Sequence, residues 1–159
     1  TQNLVAPGTL TVSGASITAT GGQIVFPATQ VPSANANTLD DYEEATWTGT
    51  LTGCTTAPTV TVNPVKIGAF VYLNVPGFSA TSNATTKTIT GMPAQYRPAS
   101  QQRGFFFGAT DNGAAIVVGA VIVDADGTIN LYAGPNNNAW TGSGAFASTA
   151  IHLCYQVLV

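Results

Sequence analysis

Seven acids, one histidine and two cysteines are the side chains here that could do acid, base, nucleophilic or metal chemistry. Their spacing gives them little of it. Asp40, Asp41, Glu43 and Glu44 crowd into five consecutive positions. Carboxylates so grouped could ligate Ca2+, but the glycine turn and ligand alternation of a calcium loop are missing, and the cluster reads better as a solvated cap or an inter-subunit polar contact. Asp124-Ala125-Asp126-Gly127 opens like a calcium loop, yet no acid follows to close it, so it reads as a turn. His152 alternates with Leu153 and Tyr155 in an apolar terminal run. No serine sits in a nucleophile elbow, and nothing in the spacing ties His152 to Asp111 or Asp124 as a triad would require. Cys54 and Cys154 follow no metal spacing. They read as two buried free thiols, with a disulfide as the alternative. No catalytic residue, metal or cofactor is expected.

Binding is the better-supported chemistry. Sugars are held by aromatic faces against C–H-rich rings, with amides and carboxylates meeting the hydroxyls. Trp140 stands beside Asn136, Asn137 and Asn138 in the Asn/Gly/Ser-rich stretch 134–148, Tyr132 ends the preceding apolar run, and Asp111-Asn112 stands in another loop. Together these seven form a candidate sugar site. Asn-rich loops are also common turn formers, and Trp140 could instead plug the end of the fold.

The elements that must position such loops are strands. From residue 46 onward, eight segments carry apolar residues in alternation or short runs: 46–52, 58–63, 66–75, 86–91, 103–109, 115–124, 127–133 and 149–159. Gly, Pro and Asn separate them, the pattern of an antiparallel β-sandwich or jelly roll. Asp126-Gly127 supplies the positive φ of a tight hairpin between 122 and 129. The run 114–123 is apolar on both faces, which places it at a sheet centre or in a subunit interface. Phe105-Phe106-Phe107 shares that property, and three consecutive aromatics in water are costly.

Only 7% of residues are charged, against roughly 25% in an ordinary domain. The surface must therefore be Thr, Ser, Asn, Gln and Gly, or be covered by other copies. The net charge is −3 and the four cations are scattered, which argues against a nucleic-acid partner. No run of about 18 apolar residues offers a membrane span, and signal-peptide features are absent. A length of 159 residues suits one core-bearing domain with an appendage. The first residue, Thr1, suggests a piece of something longer.

The stretch 38–53, TLDDYEEATWTGTLTG, marks a hand-over. Residues 4–26 alternate apolar and small polar residues in bursts broken by glycine, giving short strands too meagre to bury against themselves; a flexible leader is the alternative. Residues 27–37 read as linker, and 38–45 as an acidic neck with a helical turn over LDDYEEA. The run GGQIVFPATQVPSANANTLDDYEEATWTGTLT at 21–52 strongly resembles a segment common in bacteriophage tail fibres and tailspikes, with Ala45 and Gly49 where that family commonly has Gly and Pro. KIGAFVYLN, ITGMPAQYRPA, TDNG and DADGTINLY follow in the family's order, so the resemblance spans nearly the whole chain.

It implies a homotrimer: an intertwined β stalk over 1–37, the neck, and an all-β, jelly-roll-like head over 46–159. It implies a virion protein of the phage tail, made in the bacterial cytoplasm and joined to the rest of the fibre. Its expected work is recognition of a bacterial surface glycan, capsule or lipopolysaccharide. A structural trimerisation and folding cap, or a glycan-retaining module of an upstream depolymerase, are the alternatives; any cutting site would lie in an upstream body.

Overall fold

The computed structural model describes Gly22, residues 42–55 and residues 58–157. The predicted stalk and linker apart from Gly22, the first half of the neck (38–41), residues 56–57 and the last two residues lie outside the described residues. What is described is all-β. Eleven strands run β1 Tyr42–Glu44, β2 Trp47–Leu51, β3 Thr59–Ile67, β4 Phe70–Val75, β5 Phe78–Thr81, β6 Lys87–Thr90, β7 Gln102–Asp111, β8 Ala114–Val123, β9 Ile129–Tyr132, β10 Ala145–Ser148 and β11 Ile151–Gln156, with one 3-10 turn at Ala94–Tyr96. Among the described residues no helix is long and apolar enough to cross a membrane.

The strands form one curled antiparallel sheet in the order β11-β4-β3-β2-β6-β9-β8-β7-β10-β5, with β1 also on β3. Each strand follows from its pattern. In β2, Trp47, Gly49 and Leu51 turn inward while Thr48 and Thr50 face out, the period of two that a half-buried strand requires. β3 is the corner. It pairs with β2 through Thr59–Val62 and with β1 and β4 from Asn63 onward. Far along the sheet the chain returns: Cys54 bridges Ser82, Thr55 N–H donates to the Thr81 carbonyl at 2.9 Å, and Asn83 N–H to the Gly53 carbonyl at 3.0 Å. The ends of β2 and β5 thus meet, and the sheet curls back on itself there.

Inside lie Leu51, Val62, Leu73, Val121, Ile129 and Phe146, all buried, each stabilising by roughly 1.5–3 kcal/mol relative to exposure. β11 packs across this core on β7, where a Cβ on Gly104 would overlap the Leu153 side chain. The outer faces of β7 and of the β3–β4–β11 wall therefore look away from each other.

Several expectations change. The predicted helical turn at the neck is a strand where it is described: Tyr42–Glu44 pairs with Val65–Ile67, a ladder whose backbone bonds an isolated helical turn could not match. The single strand over 66–75 is the end of β3, a turn at Gly68 (φ 54°) and then β4. The loop 134–148 ends in β10, and β5 was not foreseen. The Asp-Gly hairpin stands as expected: Gly127 has φ 89°, and Asp124 N–H donates to the Thr128 carbonyl at 2.9 Å. Both cysteines are free, but Cys154 is exposed because β11 turns its even-numbered residues outward.

Candidate functional site

Where β6 pairs with β9, Lys87 lies opposite Leu131 and Thr88 opposite Asn130. A cleft of about 190 Å³ opens beside this pair, lined by Thr85, Thr86, Lys87, Thr88, Asn130, Leu131, Tyr132, Asn137 and Ala139. A liquid water fills roughly 30 Å³, so the space suits one ring-sized group. A larger hollow of about 490 Å³ beside β1 and β3, lined by Glu44, Ala45, Thr46, Asn63, Pro64 and Val65, is shallower and places no ring against a ligand.

The loop over the cleft is held from several sides. Ala133 N–H donates to the Asn138 carbonyl at 2.9 Å, and Trp140 N–H to the Thr85 carbonyl at 3.0 Å. Asn137 takes a positive φ of 60°, a conformation Asn tolerates. The Trp140 indole Nε1–H donates to the Leu131 carbonyl at 2.8 Å, and its ring meets Phe146 edge-on at 4.7 Å.

Beneath runs a buried polar floor. Lys87 is 1% exposed, and its Nζ donates to Ser82 Oγ at 2.9 Å and to the Ala84 carbonyl, 5.5 Å from the Phe146 ring centre. Ser82 Oγ in turn donates to the Thr141 carbonyl at 2.5 Å. Burial holds the Lys87 ammonium below its ordinary pKa, with Cys54 and Asp111 opposing, and burial pushes the Cys54 thiol up. The cation is spent on holding the floor. The residues that line the cleft carry hydroxyls (Thr85, Thr86, Thr88, Tyr132) and amides (Asn130, Asn137), with the Thr88 hydroxyl paired with that of Thr52 and the Asn130 amide donating to Asp124, both at 2.7 Å; such a set suits a neutral polyhydroxylated ligand.

The predicted residues divide. Tyr132 and Asn137 line the cleft. Trp140 is 2% exposed and lies under it; its ring offers no face to a sugar, which is the plug alternative. Asn136 and Asn138 are exposed on the loop, and Asn138 helps to close it. Asp111 and Asn112 are in the β7–β8 turn and brace the loop's far end. The Asp111 carboxylate accepts the Thr141 N–H at 2.9 Å and its hydroxyl at 3.0 Å, while Asn112 N–H donates to the Ala145 carbonyl at 2.7 Å. Sequence reasoning missed Thr85, Thr86, Thr88 and Asn130. The polar run Thr85-Thr86-Lys87-Thr88 was visible, but only the β6–β9 pairing brings it to Tyr132.

Elsewhere, His152 stands on the outer face of β11, its Nδ1 2.8 Å from the Tyr72 hydroxyl. Asp124 instead accepts from Gln101 and Asn130, both at 2.7 Å, so neither acid proposed for a triad turns to this histidine. Trp47 is core, stacked on Tyr96 at 6.1 Å. The neck acid Glu43 accepts the Tyr96 hydroxyl at 2.6 Å, and Arg97 donates to the Met92 carbonyl at 3.1 Å. Among the described residues no three His, Cys, Asp or Glu are placed to hold a metal ion.

No protein-family model and no curated protein sequence matches the chain. Its fold is similar to that of one solved viral protein. The reovirus T1L attachment protein sigma1, solved in complex with α-2,3-sialyllactose, matches with a TM-score of 0.53 and 18% identity, over 74% of this chain and 67% of the reovirus chain.

Proposed function

We propose that this chain is the receptor-binding head of a bacteriophage tail fibre or tailspike. It acts as a homotrimer in the virion, and its cleft takes a neutral sugar of the bacterial surface glycan, capsule or lipopolysaccharide. The observation that carries this reading is the cleft itself: a ring-sized space lined mainly by hydroxyl- and amide-bearing residues, next to Lys87 and Trp140, which are fixed by their own hydrogen bonds. The motif run at 21–52 supports the phage assignment. The likeness in fold to an attachment protein supports the attachment role. Three weak sites on one fibre tip would gain by multivalency. The domain has no catalytic role of its own in this reading.

The test is binding of the native chain to host capsular and lipopolysaccharide glycans, alongside Tyr132→Ala, Asn137→Ala and, as a control outside the cleft, Asn136→Ala. Loss of the Tyr132 ring is expected to cost about 1 kcal/mol per site, a five- to tenfold weakening, and the control to bind as the native chain does. No glycan binding by a chain whose intact fibre adsorbs would sink the proposal.

A second reading, a trimerisation and folding cap, is favoured by the exposed aromatic side chains of β4 and β7. Deleting residues 46–159 separates the two. Lost trimers support the cap; intact trimers that no longer adsorb support receptor binding.

A further inference from the structure

Six large apolar side chains stand in the open: Tyr42, Ile67, Phe70, Tyr72, Phe105 and Phe107, between 41% and 68% exposed. They form two groups. The first is continuous across β1, β3, β4 and β11. Tyr42 lies opposite Ile67, Ile67 opposite Phe70, Val65 opposite Tyr72, and Tyr72 opposite the exposed Cys154. The second is Phe105 and Phe107 on the outer face of β7. At roughly 200 Å² per large side chain, the exposed fractions leave roughly 350 Å² bare on the first face and roughly 230 Å² on the second. The first face alone falls within the range of roughly 300–600 Å² for the largest patch on a monomer, a patch that is often functional. One contact of the first face on the second would cover roughly 580 Å² of exposed apolar side chain, about a third of the roughly 1,600 Å² total of a standard interface, with the polar rims supplying the rest.

Because β7 and β11 meet across the core, the two faces look in different directions. A self-complementary pair would cover only one of them. Head-to-tail contact covers both, and it closes into a ring when the rotation fits. The rims are also of opposite sign. Glu44 accepts the Tyr42 hydroxyl beside the first face, while the Arg103 guanidinium lies 5.6 Å from the Phe105 ring centre in the second. First against second brings acid to cation; either face against itself brings like charges together.

We infer that the occupant of each face is another copy of this chain, with the β1–β3–β4–β11 face of one protomer packed on the β7 face of the next. This rests on the trimer reading above and specifies its contact. Arg103 also donates to the Pro135 carbonyl, so the second face is tied to the loop over the cleft, which puts the sugar site near a boundary between copies.

Solution mass by light scattering tests it on the native chain, on Phe70→Ser/Tyr72→Thr, on Phe105→Ser/Phe107→Ser, and on an equimolar mixture of the two variants. The native chain is expected at three times its 16.2 kDa and each variant at 16.2 kDa. The mixture, with one intact first face and one intact second face, is expected to form a dimer that cannot grow. Near-UV circular dichroism checks that each variant keeps its fold. The native Cys154 thiol gives an independent readout: slow labelling by a thiol reagent in the assembly, at least tenfold faster in Phe70→Ser/Tyr72→Thr. A trimeric native chain with either variant still trimeric overturns this contact and leaves the trimer reading standing. A variant that dimerises alone overturns the head-to-tail arrangement. A monomeric native chain overturns both.

Discussion

The floor under the cleft and the outer face of β4 handle aromatic rings in opposite ways. Trp140 sits in a loop of Asn, Gly and Ser yet is buried, with its indole N–H on the Leu131 carbonyl and its ring against Phe146. Phe70 and Tyr72 sit in a regular strand yet stand about half exposed. A polar neighbourhood in sequence therefore does not place a ring in water, and a strand does not place it in the core. The side of the sheet decides in β4, where Val71 and Leu73 take the inward positions. In the loop the decision falls to hydrogen bonding, because the one donor on Trp140 finds a buried carbonyl.

Unfolding measurements sharpen the contrast. Trp140→Ala should cost about 3–5 kcal/mol, the usual penalty for emptying a large aromatic site, read as the loss in denaturation free energy. Equal stability in that variant would mean that the ring is not the plug described here. Asp111→Ala comes next, at about 1–3 kcal/mol, because it strands the Thr141 N–H and hydroxyl that brace the same loop. Phe107→Ala, at the most exposed ring, should change the unfolding of the isolated protomer by less than about 0.5 kcal/mol.

A pH series separates buried from exposed rings as well. The Tyr155 hydroxyl, donating to the Tyr96 carbonyl at 2.8 Å, is held above its ordinary pKa of 10.0 by burial, and Cys54 above its ordinary 9.0 by the same cause. In both cases the unfolded chain gives up its proton first as pH rises, so the folded state binds more protons and stability falls with pH, from about 9 for the thiol and 10 for the phenol. Lys87, lowered from 10.5, acts in the opposite sense: its unfolded form holds the proton longer, and its contribution rises with pH. The melting temperature should fall between pH 9 and 11, and fall less in Tyr155→Phe. An identical slope in that variant would remove Tyr155 from the account.

Much of this was legible in the residues. The alternating run 46–52 is a strand because period two leaves it little choice, 103–109 and 115–124 show as short apolar runs between turn residues, and Asp126-Gly127 turns because glycine accepts the positive φ. What was hidden is short or distant. β1, β5 and β10 have three or four residues each, too few for a period to show, and β1 carries acids that suggested a helix start. Tyr132 and Asn137 were identified as site residues from their types alone. Thr85, Thr86, Thr88 and Asn130 were not, since threonines become a wall only once β6 lies beside β9. Asp111 and Asn112 were assigned to the ligand because polar turn residues look alike in sequence whether they face a sugar or a backbone.

β1 has a mechanical meaning as well. In the attachment role proposed above the domain would carry tension, and Tyr42–Glu44, the first of its described strands, is three residues laddered to β3 and buttressed by Tyr96 on Glu43. Residues 42–46 can peel away and lengthen the tether by roughly 17 Å while the sheet from β2 onward, and the cleft within it, keep their shape. Pulling on single molecules from the stalk side should show that small early extension before the main rupture; its absence would mean that β1 yields only with the core. An early extension would make the strand a fuse that yields before the sheet does.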